Sequence, residues 1–415
     1  MAEGVARRGA TRRRNEHYRL GLAALMTVGI GVPAAAQPHE LDTSVAEFNG
    51  VRTTGWLPFD FYRQSRIVFA GHVNGAATRL LLDSGAEATI VDKAVAERLG
   101  FKMAGTTGLI SGRSITAVPL VGGVTIRIGA MELRNLTVTV VDLKPMSALI
   151  GMPLEVVLGR EVFEHSVVDI DFPAGRIQFG SPEGYVPPSG ARKVALKRFA
   201  GGRGRAVDVT LEEGPPVVLE FDLGSAVPVI LQHPLWSARR LLEGRRSTTT
   251  VIGGAGGVRT AALVSLRRLR FAGIDIANLD AVLEAPAGPL ERRLGNGVIG
   301  MPILSRFRIT TDYAKDQLYL VPGPLAAKPV PPNRSGLRVV ARSGALEVLH
   351  VAPHSPAEAA GWRVGERIVE VDGKPIDASY WRGDRWRWSE QLAGTLVELQ
   401  VLDGTVRRLM LADYY

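Results

Sequence analysis

Arg79-Leu80-Leu81-Leu82-Asp83-Ser84-Gly85-Ala86 is an apolar run that ends on an Asp, a hydroxyl residue and a glycine. Val218-Leu219-Glu220-Phe221-Asp222-Leu223-Gly224-Ser225 has the same shape 139 residues later. A second pair of segments, Val157-Leu158-Gly159 and Val298-Ile299-Gly300, is offset by 141, and from each glycine twelve residues run without a gap to Asp171-Phe172 and Asp312-Tyr313. Both copies then close on an alternating strand, Arg176-Ile177-Gln178-Phe179 and Gln317-Leu318-Tyr319-Leu320. Two separated features that agree in order and spacing mark an internal repeat. Residues near 65–180 and near 205–320 are therefore expected to form two homologous lobes.

The rest of the repeat reads as strands. Short β-branched runs such as Val124–Ile128 and Leu136–Val140 alternate with glycine turns, the pattern of a mainly β body. Ala94–Leu99 is one expected short helix. Two proline-rich stretches divide the chain, Ser181–Gly190 and Val321–Gly336; the second holds five prolines and reads as a semi-rigid linker.

An Asp-Ser/Thr-Gly turn after an apolar strand exposes a carboxylate at the strand end, and the glycine permits a tight turn and a close neighbour. Two such carboxylates face to face cannot both ionise easily, so they share a proton. The ionised member takes a proton from a trapped water while the protonated member polarises a substrate carbonyl. The pair titrates as a unit. Such chemistry needs no metal and no cofactor.

On these residues the sequence resembles the aspartic peptidases, specifically the retropepsin-like aspartyl proteases of bacterial genomes. Asp83-Ser84-Gly85-Ala86 fits their Asp-Ser/Thr-Gly-Ala/Ser motif, and Val157-Leu158-Gly159 and Val298-Ile299-Gly300 fit the element that packs beneath the catalytic turn. The resemblance covers roughly residues 50–320. It implies two acid-protease β lobes in tandem in a pepsin-like bilobal arrangement, flaps over the cleft at Gly105–Thr116 and Ile252–Arg259, and endopeptidase activity on extended peptide or protein substrates. It further implies that Asp83 and Asp222 are catalytic, that Ser84, Gly85, Ala86, Gly224 and Ser225 build the active-site turns, and that Gly159 and Gly300 support them.

One position departs from the family. Leu223 stands where a Ser or Thr hydroxyl bonds across the lobe interface; losing such a bond costs ~1 kcal/mol, and an unsatisfied partner up to ~3. Lobe 2 is then a weakened or structural half with Asp222 a relic, or Asp83 pairs with Asp83 of a second chain, or Asp83 pairs with Asp222 within one chain. The repeat favours the last. The protein is expected to be a monomer or a homodimer.

Beyond the linker the sequence is similar to bacterial PDZ domains. Ser355-Pro356-Ala357, Ala360-Gly361, Gly365 and Ile368 follow the PDZ signature, with Glu366 in place of its Asp. The resemblance implies an α+β module that binds a peptide ligand by strand addition, with Gly336, Leu337, Arg338 and Val339 as its carboxylate-binding loop. A PDZ fold used only for packing is the alternative.

Composition narrows the field. The 415 residues carry 50 Lys+Arg against 41 Asp+Glu, seven His and no Cys, which removes disulfide frameworks, zinc ribbons and thiol nucleophiles. Residues 1–36 hold six Arg, then the apolar run Leu20–Val32 and Ala34-Ala35-Ala36, the three parts of a cleaved signal peptide. Without it the net charge falls from +9 to +5, so the basic balance is largely an export signal. A periplasmic or secreted protein with no stable membrane span after cleavage is expected. The cluster Trp381-Arg382-Gly383-Asp384-Arg385-Trp386-Arg387-Trp388 gives no extended basic track, and no nucleic-acid partner is expected. Ile252–Val258 lacks the Lys-Ser/Thr of a phosphate loop, and Arg267–Arg270 reads as the solvated face of a strand.

The expected organisation is a signal peptide (1–36), an N-terminal extension (37–60), lobe 1 (61–182), lobe 2 (191–321), a linker (322–335) and a PDZ domain (336–412). The function expected is that of an exported aspartic endopeptidase. The alternative is a non-catalytic peptide-binding or envelope assembly protein on a degenerate protease scaffold.

Overall fold

The apolar run before Asp83 forms the strand Ala76–Leu82, and the run before Asp222 forms Pro216–Asp222. Both lie inside their sheets, so Leu80, Leu81 and Leu82 are all buried where an edge strand would alternate. The structure, a computed structural model, describes residues 43–111, 114–198, 204–254, 257–287, 295–377, 379–381 and 383–415. The expected signal peptide, residues 37–42 of the expected extension, and the tips of both expected flaps lie outside the described residues.

The protein is mainly β. Lobe 1 is built on a nine-stranded sheet and lobe 2 on an eight-stranded one. Each carries the long hairpin expected of a flap: Gly105–Ser111 with Ser114–Ile128 in lobe 1, and Ser247–Gly254 with Gly257–Phe271 in lobe 2. The expected helix is Lys93–Arg98, capped by Asp92, whose carboxylate accepts from Ala94 N–H at 2.9 Å.

A six-stranded sheet joins the lobes. Val167–Asp171 of lobe 1 pairs antiparallel with Phe307–Asp312 of lobe 2 in the register Val168–Thr311, Asp169–Thr310, Ile170–Ile309. The repeat offset of 141 maps 168 onto 309, 169 onto 310 and 170 onto 311. The register is therefore symmetric about Asp169–Thr310, and the pseudo-twofold axis relating the lobes passes through that pair. Arg308 clamps the same spot: its guanidinium donates to both oxygens of the buried Asp169 carboxylate, at 3.0 and 2.7 Å. One hydrophobic core runs through both lobes, with Phe163 and Phe179 in the same cluster as Phe221, Phe271 and Phe307.

The N-terminal extension and the proline-rich linker are both packed against the lobes. In the extension, Val45–Glu47 pairs with Glu132–Arg134, and Leu57–Pro58 pairs with Ile177 and Arg176. In the linker, Ala326 and Val330 are buried, and Arg306 donates to the carbonyls of Leu325 at 2.9 Å, Pro329 at 3.0 Å and Lys328. A proline-rich segment has few internal hydrogen bonds, and a guanidinium with five donors satisfies several of its carbonyls at once.

The C-terminal module has its own sheet and its own core, which includes Leu346, Val348, Trp362, Ile368, Val397 and Leu409. Its short helix Pro356–Ala359 is capped by Ser355, whose Oγ accepts from Glu358 N–H at 3.2 Å. Arg267 and Arg270 lie exposed, but Arg268 is half-buried and Leu269, on the same face as Arg267, is buried, so the run is not the single solvated face expected. Among the described residues no helix is long and apolar enough to cross a membrane.

Candidate active site

The two Asp turns are set by the glycine elements beside them. Val156–Leu158 runs parallel to Leu80–Leu82, and Val298–Gly300 runs parallel to Glu220–Asp222. In lobe 1, Asp83 N–H donates to the Leu158 carbonyl at 3.0 Å and Arg160 N–H to the Ala86 carbonyl at 2.9 Å. In lobe 2, Met301 N–H donates to the Ser225 carbonyl at 2.9 Å. Gly159 and Gly300 are there for space, since their φ values of -93° and -118° suit any residue. A Cβ on Gly159 would stand 2.8 Å from the Ala86 oxygen, and one on Gly300 would stand 2.8 Å from Ser225 Oγ.

The turns interlock across the lobe interface. Gly85 N–H donates to its own Asp83 Oδ1 at 2.9 Å, and Gly224 N–H donates to Asp222 Oδ1 at 2.7 Å. Each carboxyl then rests against the other lobe's glycine. A Cβ on Gly85 would stand 2.7 Å from the Asp222 carboxyl carbon, and a Cβ on Gly224 would overlap the Asp83 carboxyl. Asp83 and Asp222 thus face each other within one chain, at 0% and 1% exposure. Asp83 Oδ2 is buried, and the Asp83 and Asp222 carboxyls are hydrogen-bonding neighbours.

The Leu223 departure is met from the other side. Ser84 Oγ donates to the Phe221 carbonyl at 2.9 Å and accepts from Leu223 N–H at 2.9 Å. Leu223 itself is fully buried in the shared core. One hydroxyl therefore makes the cross-lobe pair of bonds, and apolar packing stands where the second hydroxyl was expected.

Burial pushes the Asp83 carboxyl up to about 6, against the pull of the Gly85 N–H and of the Arg66 guanidinium. Asp222 is raised well above the usual carboxylate range, by burial first and then by the negative charges of Asp83 and Glu220. We take Asp222 as the member that keeps the shared proton and Asp83 as the more acidic one, because Arg66 acts on Asp83 and a further acid crowds Asp222. Glu220 is itself raised by burial, by Glu87 and by Asp83.

Arg66 is a site residue that the sequence reading missed. It is buried and lowered to about 10 by desolvation, with Asp83 and Asp222 as the charges that hold it up. Its Nη1 donates to the Ser65 carbonyl at 2.7 Å, and its Nε has no hydrogen-bond partner among the described residues. The signal was present, since the offset of 139 carries Arg66 onto Arg205. The two have diverged: Arg205 lies over the Tyr313 ring at 4.6 Å and donates to Asp316 at 2.8 Å.

The flap hairpins reach the turns from above. Leu109 and Val118 share a cluster with Ala86 in lobe 1, and Ile252 and Ala261 share one with Val227 in lobe 2. The expected carboxylate loop of the C-terminal module sits apart from the dyad and is already filled. The Asn333 side-chain oxygen accepts from Ser335 N–H at 3.0 Å, Ser335 Oγ at 2.8 Å and Gly336 N–H at 3.0 Å. Leu337 is in the core, and Arg338 turns away to lobe 2, where its Nε donates to Thr250 Oγ1 at 2.9 Å. Among the described residues no group of three or more His, Asp or Glu is placed to hold a metal ion.

Comparison with known proteins divides along the same lines. Residues 69–154 match the family described as "gag-polyprotein putative aspartyl protease", and residues 347–384 match the PDZ domain family. Lobe 1 carries a retropepsin-like aspartyl protease domain, and the C-terminal module is a PDZ domain. The matched stretch of lobe 1 contains Asp83-Ser84-Gly85-Ala86 and ends just before Val157-Leu158-Gly159. Among solved structures, the aspartic proteinase from Irpex lacteus is 10% identical with a TM-score of 0.42, over 66% of this chain and 98% of that one. No curated protein matches the chain.

Proposed function

We propose that the protein is an aspartic endopeptidase that hydrolyses peptide bonds with a water activated between Asp83 and Asp222. The reciprocal seating of the two carboxyls carries this reading: Asp83 lies against Gly224, and Asp222 lies against Gly85. In the proposed reaction Asp83 is the base that takes a proton from water, and protonated Asp222 polarises the scissile carbonyl. Attack then gives a tetrahedral diol, and the proton gained by Asp83 passes to the departing amine. The family match of lobe 1 supports the same reading. The pairing of Asp83 with Asp222 inside one chain favours an active site that needs no second copy.

Export through the signal peptide 1–36, with Gln37 as the first mature residue, belongs to this proposal; N-terminal sequencing of the protein recovered outside the cytoplasm tests it. For the PDZ domain, a peptide carboxylate entering at Gly336 would first have to displace the Asn333 side chain. That favours a packing role for this loop.

The enzyme reading is tested by cleavage of a peptide library between pH 3 and 7 with wild type, Asp83→Asn and Asp222→Asn. Loss of turnover in both variants is expected. No cleavage by wild type at any pH would discard the enzyme reading.

A further inference from the structure

The PDZ domain bridges the two lobes. Its edge strand Leu337–Arg342 has Arg338 bonded to Thr250 of lobe 2 at 2.9 Å, and the Ala341 Cβ stands 3.1 Å from where a Cβ on Gly151 of lobe 1 would be. On the lobe 2 side, His350 Nε2 lies 2.9 Å from the Thr249 carbonyl, and Thr248 Oγ1 donates to the Pro353 carbonyl at 3.1 Å. Arg246 donates to the Tyr414 carbonyl at 2.9 Å. On the lobe 1 side, the Arg63 guanidinium lies over the Trp381 ring at 4.1 Å. Thr248, Thr249 and Thr250 belong to the first strand of the lobe 2 flap hairpin, so the PDZ domain is fastened to the flap itself.

Tyr415, itself half-buried, makes a further contact with lobe 2. It packs with Val227 and Ile230 against the buried cluster of Ile252, Ala261, Leu263 and Val282. Val227 stands two residues beyond Ser225 of the catalytic turn, and Ser225 Oγ donates to its carbonyl at 3.4 Å. Ile252 lies on the flap strand. The cluster therefore lines the lobe 2 wall between the flap and the turn that carries Asp222. The Tyr415 hydroxyl is buried there and directed at Asp280, the acid it pairs with. Apolar walls with one carboxylate at the end suit a phenol, which offers a ring to the walls and a donor to the acid.

We propose that this slot is a tyrosyl-binding subsite of the cleft, and that Tyr415 is an internal occupant which a substrate side chain must displace. The use of the subsite in turnover rests on the peptidase reading above, whereas its capacity to bind does not. While Tyr415 fills the slot, the affinity of an incoming peptide is reduced by the fraction of time the slot is vacant.

The test is calorimetric titration of full-length protein with a hexapeptide amide containing one Tyr, beside the same peptide with Phe. In Tyr415→Ala the Tyr peptide is expected to bind about tenfold more tightly than in wild type, because the occupant no longer competes. Adding Asp280→Leu to that variant, which removes the acceptor, should remove the preference for Tyr over Phe. Equal affinity in wild type and Tyr415→Ala overturns the proposal, as does a Tyr preference that survives Asp280→Leu. Because the readout is binding, a chain that cleaves no peptide can still pass this test, and an active one can still fail it. Should Tyr415→Ala lose its fold, Tyr415→Leu, which keeps apolar packing against the slot but has no phenol, supplies a second arm. It should bind the Tyr peptide more tightly than wild type, and equal binding would overturn the proposal.

Discussion

The Ser84 hydroxyl and the Leu223 backbone N–H meet across the lobe interface at 2.9 Å, and that hydroxyl also donates to the Phe221 carbonyl at 2.9 Å. One side chain thus ties the turn of lobe 1 to both residues that flank Asp222. Ser84→Ala is expected to cost about 1 to 3 kcal/mol, because two buried groups lose their partner together. Urea denaturation measures it. A midpoint unchanged from wild type would mean that the tie contributes nothing.

Leu223 has been absorbed into the core, so restoring the family hydroxyl should not help. Leu223→Thr removes buried carbon and introduces a hydroxyl into apolar surroundings, with an expected loss of about 2 kcal/mol. A more stable variant in the same titration would show that the pocket accepts the hydroxyl.

Gly224→Ala drives a methyl group into the Asp83 carboxyl. Peptide turnover is expected to fall about 100-fold or more, since a displacement of this size misaligns the reacting groups. Gly105→Ala, where a Cβ meets nothing within 4 Å, is the control expected to retain activity.

The dyad should make the protein less stable as pH rises. Both carboxyls are raised above the ordinary value of 3.8, Asp83 to about 6 and Asp222 well above its usual range, in each case by burial first. Between those values the folded state holds protons that the unfolded chain has released, so stability is greatest below pH 3.8 as far as this pair is concerned and declines through pH 6. Asp222→Asn should flatten that decline. Thermal melts of both proteins from pH 4 to 7 check it, and parallel curves would contradict the assignment.

Arg66 should set where the dyad works. Its cation favours the ionised form of Asp83, so Arg66→Met is expected to move the acid limb of the kcat/KM profile upward by about one pH unit. A profile that keeps its position and loses only height would assign Arg66 a purely structural role.

Much of this site was legible in the sequence because it is local and repeated. Asp83, Asp222, Gly159 and Gly300 each lie in a short motif that recurs at a near-constant offset, and the structure brings all four together. Arg66 carried the same signal, but a lone Arg on an otherwise apolar strand reads as surface until burial is known. The Arg338–Thr250 and Arg63–Trp381 contacts had no signal at all. They join segments far apart in the chain, and no periodicity or motif records which faces of two separate domains will meet. The docking of the linker escaped for a related reason: its carbonyls are satisfied by Arg306, which belongs to the preceding lobe.

The antiparallel register through Asp169 and Thr310 gives a single chain the axis that two identical subunits would otherwise supply. A peptide has a direction, from amino to carboxyl end, and an axis of two identical halves cannot distinguish the two ways of laying it down. Here the halves are unequal. Ser84 faces Leu223, Arg66 is matched by an Arg205 turned elsewhere, and only lobe 2 receives Tyr415. On the peptidase reading, two unequal lobes in one chain would let each side of the cleft read a different end of a bound peptide, so that substrate polarity would be encoded in the protein itself.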